Sequence, residues 1–201
     1  MPQITVSNLT FAYEGSYDNV FENVSFSIDT DWKLGFVGRN GRGKTTFLKL
    51  LSGEYDYSGT IQAPAVSFRY FPYEVGDGSA SAIGAVKGVF PDLPDWALIR
   101  ELNLLGFSEE TLCRPFETLS PGERTKLLLC ALFLGENAFP LIDEPTNHLD
   151  ARGREALGEY LGKKRGFILV SHDRTLLDRC TDHTLSINRA SIEVIGGNFS
   201  L

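Results

Sequence analysis

The stretch Gly38-Arg39-Asn40-Gly41-Arg42-Gly43-Lys44-Thr45 fits the pattern G-x-x-x-x-G-K-[ST] and lies between an apolar run, Leu34 to Val37, and a helix-like stretch, Lys44 to Leu51. Strand, glycine-rich turn and helix follow one another in the order that a nucleotide site requires. Glycines let the backbone wrap until successive N–H groups point at one spot, and the helix N-terminus adds partial positive charge there. In such a turn Lys44 reaches the β and γ phosphates of a nucleoside triphosphate, and the Thr45 hydroxyl is a ligand for Mg²⁺. The alternative is a glycine-rich turn with no ligand.

The surrounding chain predicts an α/β fold. Ile4 and Val6, then Val24, Phe26 and Ile28, recur with period two, which places alternate side chains on one face of a sheet. Residues 58–73 are strand-like again, with Ile61, Val66, Phe68 and Tyr70. Residues 74–118 change character: glycines and prolines surround short helical pieces such as Trp96 to Leu105. A helix is expected from near Ser120 to Leu134, a buried strand over Ala138 to Ile142, a helix over Arg152 to Gly162, a second buried strand over Phe167 to Val170, and a hairpin turning around Asn188 to Ser191. This pattern implies a mixed, partly parallel core sheet flanked by helices, with an antiparallel portion at the N-terminus. The 201 residues form one domain, with a core lobe of about 1–73 and 135–201 and a small inserted helical subdomain of about 74–134.

Composition removes several classes of function. The 19 basic and 26 acidic residues give a net charge of −7, which disfavours unaided binding to a nucleic-acid backbone. Basic residues gather at Arg152, Arg154 and Lys163-Lys164-Arg165, which read as a solvated helix end in preference to an RNA contact. The longest apolar run, Leu127 to Leu134, is too short to cross a bilayer. The N-terminus lacks the basic start and apolar run of a secretory signal, so a cytoplasmic location is expected. Cys113, Cys130 and Cys180 fit neither a disulfide framework nor a zinc knuckle and are expected in core or semi-buried positions; His148, His172 and His183 are too scattered for a metal cluster.

Three further strings carry chemistry. Asp143-Glu144 ends the apolar run 138–142, where an Asp holds Mg²⁺ and a neighbouring Glu polarises the attacking water as general base. An acidic pair after a strand is otherwise a solvated turn or a helix cap. Coupled to the glycine-rich turn, it would lie at the carboxyl edge of one parallel sheet, where ligands of open α/β sheets bind. His172 follows the next apolar strand and either donates to a γ phosphate or caps the helix after it. Ser120-Pro121-Gly122-Glu123 is a sound capping box with proline at the first helical position, and a helix N-terminus beside a glycine can also bind an anion.

Taken in order, Gly38 to Thr45, Leu119-Ser120-Pro121-Gly122-Glu123, Asp143-Glu144, Asp150 and His172 resemble the motifs of an ATP-binding cassette (ABC) ATPase domain. The string Glu144-Pro145-Thr146-Asn147-His148-Leu149-Asp150 and the start Asn8-Leu9-Thr10-Phe11-Ala12-Tyr13 resemble the N-terminal cassette of the ABC-F group, proteins with two cassettes in one chain that act on the ribosome, some of them in antibiotic resistance. The resemblance implies a P-loop NTPase fold of ABC type and ATP and Mg²⁺ as cofactors. It gives catalytic roles to Glu144, His172 and Lys44, and nucleotide contacts to Tyr13, Gly38, Arg39, Asn40, Gly41, Arg42, Gly43, Lys44, Thr45, Thr46 and Asp143, with Tyr13 stacked on adenine. Thr45 and Asp143 would hold the metal. Ser120, Gly122, Glu123 and Asp150 would close over ATP held by a second cassette, in the same chain or in a homodimer. The resemblance also implies that this is one part of a longer two-cassette chain whose linker makes much of the ribosome contact. The alternatives are the nucleotide-binding subunit of a membrane ABC transporter, which would share the catalytic residues, and a binding module without turnover. Two departures bear on activity. The family's usual Leu-Ser-Gly-Gly-Gln has Pro121 and Glu123 at its third and fifth places, and Tyr73 stands where the family has a Gln that contacts Mg²⁺ or water.

Overall fold

The computed structural model describes residues 2–39, 41–188 and 191–197. Its architecture is set by a central sheet that is buried on both faces. In the strand Phe167–Val170 (β7) every residue is buried: Phe167 and Leu169 face one core, Ile168 and Val170 the other. The strand Ala138–Asp143 (β6) divides likewise, with Phe139 and Leu141 on one side and Ile142 on the other. A parallel strand covered on both faces reads as a continuous apolar run, which is why these two were visible in the sequence.

Four more strands complete this sheet: Lys33–Val37 (β3), Ser67–Phe71 (β5), His183–Asn188 (β8) and Ser191–Gly196 (β9). The order is β5-β6-β7-β3-β8-β9, parallel throughout except for the β8–β9 hairpin. The hairpin is the expected one; its turn residues Arg189 and Ala190 lie outside the described residues. A second, antiparallel sheet holds Gln3–Phe11 (β1), Phe21–Asp29 (β2) and Ser58–Gln62 (β4) in the order β2-β1-β4. The strand-like stretch 58–73 is thus two strands in two sheets, because β4 pairs with β1 while β5 runs parallel to β6. The antiparallel sheet and the helix Lys44–Leu51 (α1) share the core on one side of the central sheet.

The other side is covered by helices. Ala82–Val89 (α2), Asp95–Leu104 (α3) and two 3₁₀ turns, Glu109–Cys113 and Phe116–Thr118, lead into Pro121–Leu134 (α4). α4 is buried almost all round over residues 127–132, packing on the sheet and on its helical neighbours. One continuous core therefore runs from Ala82, Val86 and Leu98 of the insert to Phe71, Ile142 and Leu169 of the sheet. Ala151–Gly162 (α5) and Arg174–Cys180 (α6) complete this layer. Cys130 and Cys180 are buried, but Cys113 is exposed at the end of a 3₁₀ turn, contrary to the core or semi-buried place expected of it.

Because β6, β7 and β3 are adjacent and parallel, the segments that follow them leave the sheet at one edge. Gly38–Gly43 follows β3, Asp143 and Glu144 end β6, and His172 follows β7.

Candidate functional site

The turn between β3 and α1 depends on a residue without a side chain at Gly43. Its φ is +94°, and an added Cβ would sit 2.6 Å from Val20 Cγ1 and 3.1 Å from Phe21 Cζ. Left-handed backbone combined with close approach leaves glycine as the fit. No side chain caps α1 and no acidic residue stands in its first turn, so its leading N–H groups face the loop uncompensated. Lys44 is nearly buried and its Nζ donates to Gly38 O at 2.8 Å and Arg39 O at 3.4 Å, which aims the ammonium along the inside of the loop. Arg39 and Arg42 are exposed and joined by a backbone hydrogen bond of 3.3 Å. Asn40, expected among the nucleotide contacts, lies outside the described residues.

Opposite the loop stands the carboxylate of Asp143. Its Oδ2 accepts from Thr45 Oγ1 at 2.7 Å and from Tyr70 Oη at 3.0 Å. Burial, then the adjacent Asp143 charge, hold the Tyr70 phenol well above its usual range, so it stays a donor. Thr45 and Asp143 offer hard oxygen ligands, and among the described residues no group of three or more His, Cys, Asp or Glu could hold a metal ion by itself. That donor set suits Mg²⁺, which commonly takes one or two protein oxygens and completes its shell with phosphate oxygens and water.

Glu144 has a left-handed backbone, φ +49°. Among the described residues, the other non-glycine positions with positive φ are Asn8, Asn23 and Asn137, a residue type that tolerates this region, whereas for Glu it is a strained conformation costing roughly 1 kcal/mol or more. The strain is held by a hydrogen bond from Glu144 N to Val170 O at 2.9 Å. The carboxylate is oriented from β7's side: His172 N donates to Oε2 at 3.3 Å, and His172 Nε2 is 3.4 Å from Oε1. Oε1 is buried without a hydrogen-bond partner. Burial pushes the Glu144 carboxyl up, and the neighbouring Asp143 charge adds to this against the lowering effects of His172 and Lys44. His172 does not cap α6; Asp173 does, accepting from Leu176 N at 3.0 Å.

One cleft gathers Tyr13, Gly41, Gly43, Lys44, Thr45, Thr46, Asp143, Glu144 and His172, with Val20 and Val170 as apolar wall. Gly38 lines a smaller cavity beside it, shared with Lys44 and His172. Tyr13 stands at the rim, 45% exposed, edge-on to Phe11 and Tyr55, with its hydroxyl 2.6 Å from Thr46 Oγ1.

Ser120, Gly122, Glu123 and Asp150 do not line that cleft. Ser120 and Glu123 form the capping box of α4: Glu123 Oε2 accepts from Ser120 N at 2.7 Å and Ser120 Oγ from Glu123 N at 3.3 Å, with Arg114 3.6 Å from the same carboxylate. Asp150 caps α5 through Gly153 N at 2.7 Å. A Cβ on Gly122 would lie 3.1 Å from His148 O, so the α4 N-terminus abuts the segment before Asp150. Tyr73 turns away from the cleft and donates to Leu128 O of α4 at 3.0 Å. Tyr70, three residues earlier, is the residue of that strand that reaches Asp143, and nothing in the local sequence pattern sets it apart.

A family model described as "ABC transporter" matches residues 21–147. The chain is 34% identical over 195 residues to the "Ribosome protection protein VmlR" of Bacillus subtilis (strain 168), covering 94% of this chain and 35% of that protein. It is 32% identical over 204 residues to "ABC transporter F family member 3" of Arabidopsis thaliana, covering 98% of this chain and 28% of the relative. The chain thus spans about a third of the length of the curated relatives it matches. A solved structure titled "Structure of ATP binding subunit of ABC transporter" superposes with a TM-score of 0.78 at 24% identity, over 96% of this chain and 89% of the other, a likeness of fold. With the family model spanning more than half of its length, and F-family members among its relatives, this chain belongs to the ABC transporter family as an ATP-binding cassette.

Proposed function

We propose that this cassette hydrolyses ATP with Mg²⁺, in concert with a second cassette, within a cytoplasmic protein that acts on the ribosome. The observation that carries the hydrolytic reading is the Glu144 carboxylate: strained into place, raised in pKa by burial, and holding one buried oxygen without a hydrogen-bond partner at the cleft that Lys44 lines. A base with a raised pKa and a free lone pair suits proton abstraction from water. Lys44 and the N–H groups of Gly41 to Thr45 bind the β and γ phosphates, and the Tyr13 ring, fixed by its neighbours, offers a platform for adenine. Thr45 and Asp143 hold Mg²⁺, which when bound neutralises phosphate charge. His172 orients Glu144 and donates to the γ phosphate when the nucleotide is bound. Catalysis of this kind is mostly positioning and electrostatics.

The need for a second cassette is supported by the distance in function between the two clusters: Ser120, Gly122, Glu123 and Asp150 are ordered by their own caps yet contribute nothing to the chain's own cleft. The ribosome as target is supported by the relative named a ribosome protection protein. No helix among the described residues is long and apolar enough to cross a membrane.

Glu144→Gln tests the chemistry. Turnover of ATP should fall by roughly 10²- to 10⁴-fold, the usual contribution of a general base, while ATP binding persists. Hydrolysis at the parent rate would remove Glu144 from its role. Pelleting the protein with ribosomes in ATP and in ADP tests the target: co-sedimentation that requires ATP supports the reading, and recovery in a membrane fraction instead would replace it with a transporter subunit.

A further inference from the structure

We propose that Tyr70 is a positioning residue for Asp143, fixing through its hydroxyl which carboxylate oxygen is turned toward the first turn of α1 and which is left open to a divalent cation. The inference rests on the nucleotide reading given above and deepens it.

The geometry follows from the sheet. β5 and β6 run parallel with Tyr70 opposite Leu141, so Asp143 lies two residues further along β6 and on the same face as Leu141. Within β5, Phe68 and Tyr70 pack on the side that carries α1, while Phe71 packs on the other. A tyrosine at this position is long enough to cross to the end of the neighbouring strand, and its hydroxyl arrives at Asp143 Oδ2 at 3.0 Å. Thr45 Oγ1 arrives at the same oxygen at 2.7 Å from α1. Two donors on two different elements thus converge on Oδ2. A single hydrogen bond leaves a carboxylate free to rotate about its terminal torsion; two from different elements determine the plane.

The partner that could otherwise have come from the end of this strand is absent. Tyr73 is committed to Leu128 O and packs edge-on against Phe90. Tyr70 therefore supplies the contact from β5's side to the acidic end of β6. The contact is a hydrogen bond to a ligand, and loss of such an outer-shell partner typically costs 10- to 100-fold in metal affinity.

Tyr70→Phe keeps the ring and removes the hydroxyl. The dissociation constant for ATP is measured by titration calorimetry with Mg²⁺ and again in EDTA, for the parent and for Y70F. The expected result is a loss of roughly 10-fold in the presence of Mg²⁺ and less than about twofold in EDTA, so that the benefit of the cation is what shrinks. Equal affinity of parent and variant for Mg²⁺-ATP would overturn the proposal. An equal loss with and without the cation would also overturn it, because the phenol would then be serving the fold of the cleft. Asp143→Asn provides the second arm: if Tyr70 acts through Asp143, adding Y70F to D143N changes Mg²⁺-ATP binding no further, and an additive loss refutes that route. Failure of the parent itself to bind ATP under either condition would sink the nucleotide reading, and this inference with it; binding by the parent with an unaffected Y70F would sink this inference alone.

Discussion

Nε2 of His172 lies 3.4 Å from Oε1 of Glu144, an oxygen that is buried and accepts no hydrogen bond. The arrangement leaves the carboxylate less well solvated than it would be in the unfolded chain, and burial is the leading reason its pKa rises. For a carboxyl whose folded pKa exceeds its unfolded value, the favourable contribution to stability is complete below the unfolded value and is lost as pH rises through the folded one. Glu144→Gln carries no charge at any pH. Above the carboxylate range the variant should therefore melt higher than the parent. The difference should vanish on acidification below that range. Thermal melts of both proteins from acidic to neutral pH check this; a Gln variant that melts lower at neutral pH would mean that the carboxylate is better paired than this geometry allows.

Lys44 places its ammonium against two loop carbonyls, Gly38 O and Arg39 O, and thereby stays within the loop and nearly buried. A charged donor held in this manner contributes strongly to anion binding, since hydrogen bonds to charged groups are worth about 1.5–3 kcal/mol each. Lys44→Ala should weaken ATP binding by roughly 10- to 100-fold, with a smaller effect on adenosine, which has no phosphate. Calorimetric titration with the two ligands separates the contributions; equal losses for both would mean that the loop itself had collapsed.

The nucleotide side of the site was legible in the sequence because it is local: strand, loop and helix are contiguous, and β3 and α1 begin and end within a residue of where the pattern put them. The ends of β6 and β7 were legible for a different reason, since a strand buried on both faces is an uninterrupted apolar run. What escaped is non-local or disguised. α2 contains Gly84 and Gly88, which make it look like a loop; it is held as a helix by the Ser81 cap and by packing of Ala82, Ala85 and Val86. α6 is seven residues long, with Leu176, Leu177 and Cys180 alone marking its buried face. Tyr70 looks like any strand aromatic, and its partner is 73 residues away, so only the β5–β6 register reveals the contact. The separate sheets of β4 and β5 are likewise decided by pairing partners.

Among the loop's described glycines, Gly43 is the least tolerant of change. Alanine there would have to hold φ near +94°, and its Cβ would meet Val20 Cγ1 at 2.6 Å and Phe21 Cζ at 3.1 Å. Backbone strain alone costs about 1–2 kcal/mol, and relieving the overlap would shift β2 away from α1. Gly43→Ala is expected to lower the melting temperature by several degrees and to abolish measurable ATP binding. Gly41 has open space around its Cβ position and φ +75°, so Gly41→Ala should cost only the backbone term. If both variants bound ATP equally well, the contact with Val20 would not be a constraint on the loop.

Lys164 and Glu101 tie the inserted helices to the core lobe. Glu101 on α3 is 5% exposed and is paired with the Lys164 ammonium, which also lies 4.6 Å from the centre of the Tyr160 ring on α5. Burial pushes the Glu101 carboxyl up, but the Lys164 ammonium, with Arg100 beside it, outweighs this, and the carboxyl ends below its usual range. A depressed carboxyl contributes stability above its unfolded pKa and loses it as pH falls through the folded one. Lys164→Met would leave the buried carboxylate with Arg100, 3.4 Å from Oε1 and largely exposed, as its remaining ion-pair partner, so the loss should fall below the about 3–5 kcal/mol of a fully stranded charge and lower the melting temperature by several degrees. Replacing both residues, as Glu101→Leu with Lys164→Met, should recover most of that loss, because a well-packed apolar pair is often as stable as a buried ion pair. The gap between parent and K164M should narrow on acidification, as the Glu101 charge that Lys164 stabilises in the parent is neutralised. Melting curves of the two single variants and the double variant, each at neutral and acidic pH, test the coupling: additive losses, or a gap that widens in acid, would show that Lys164 and Glu101 act independently.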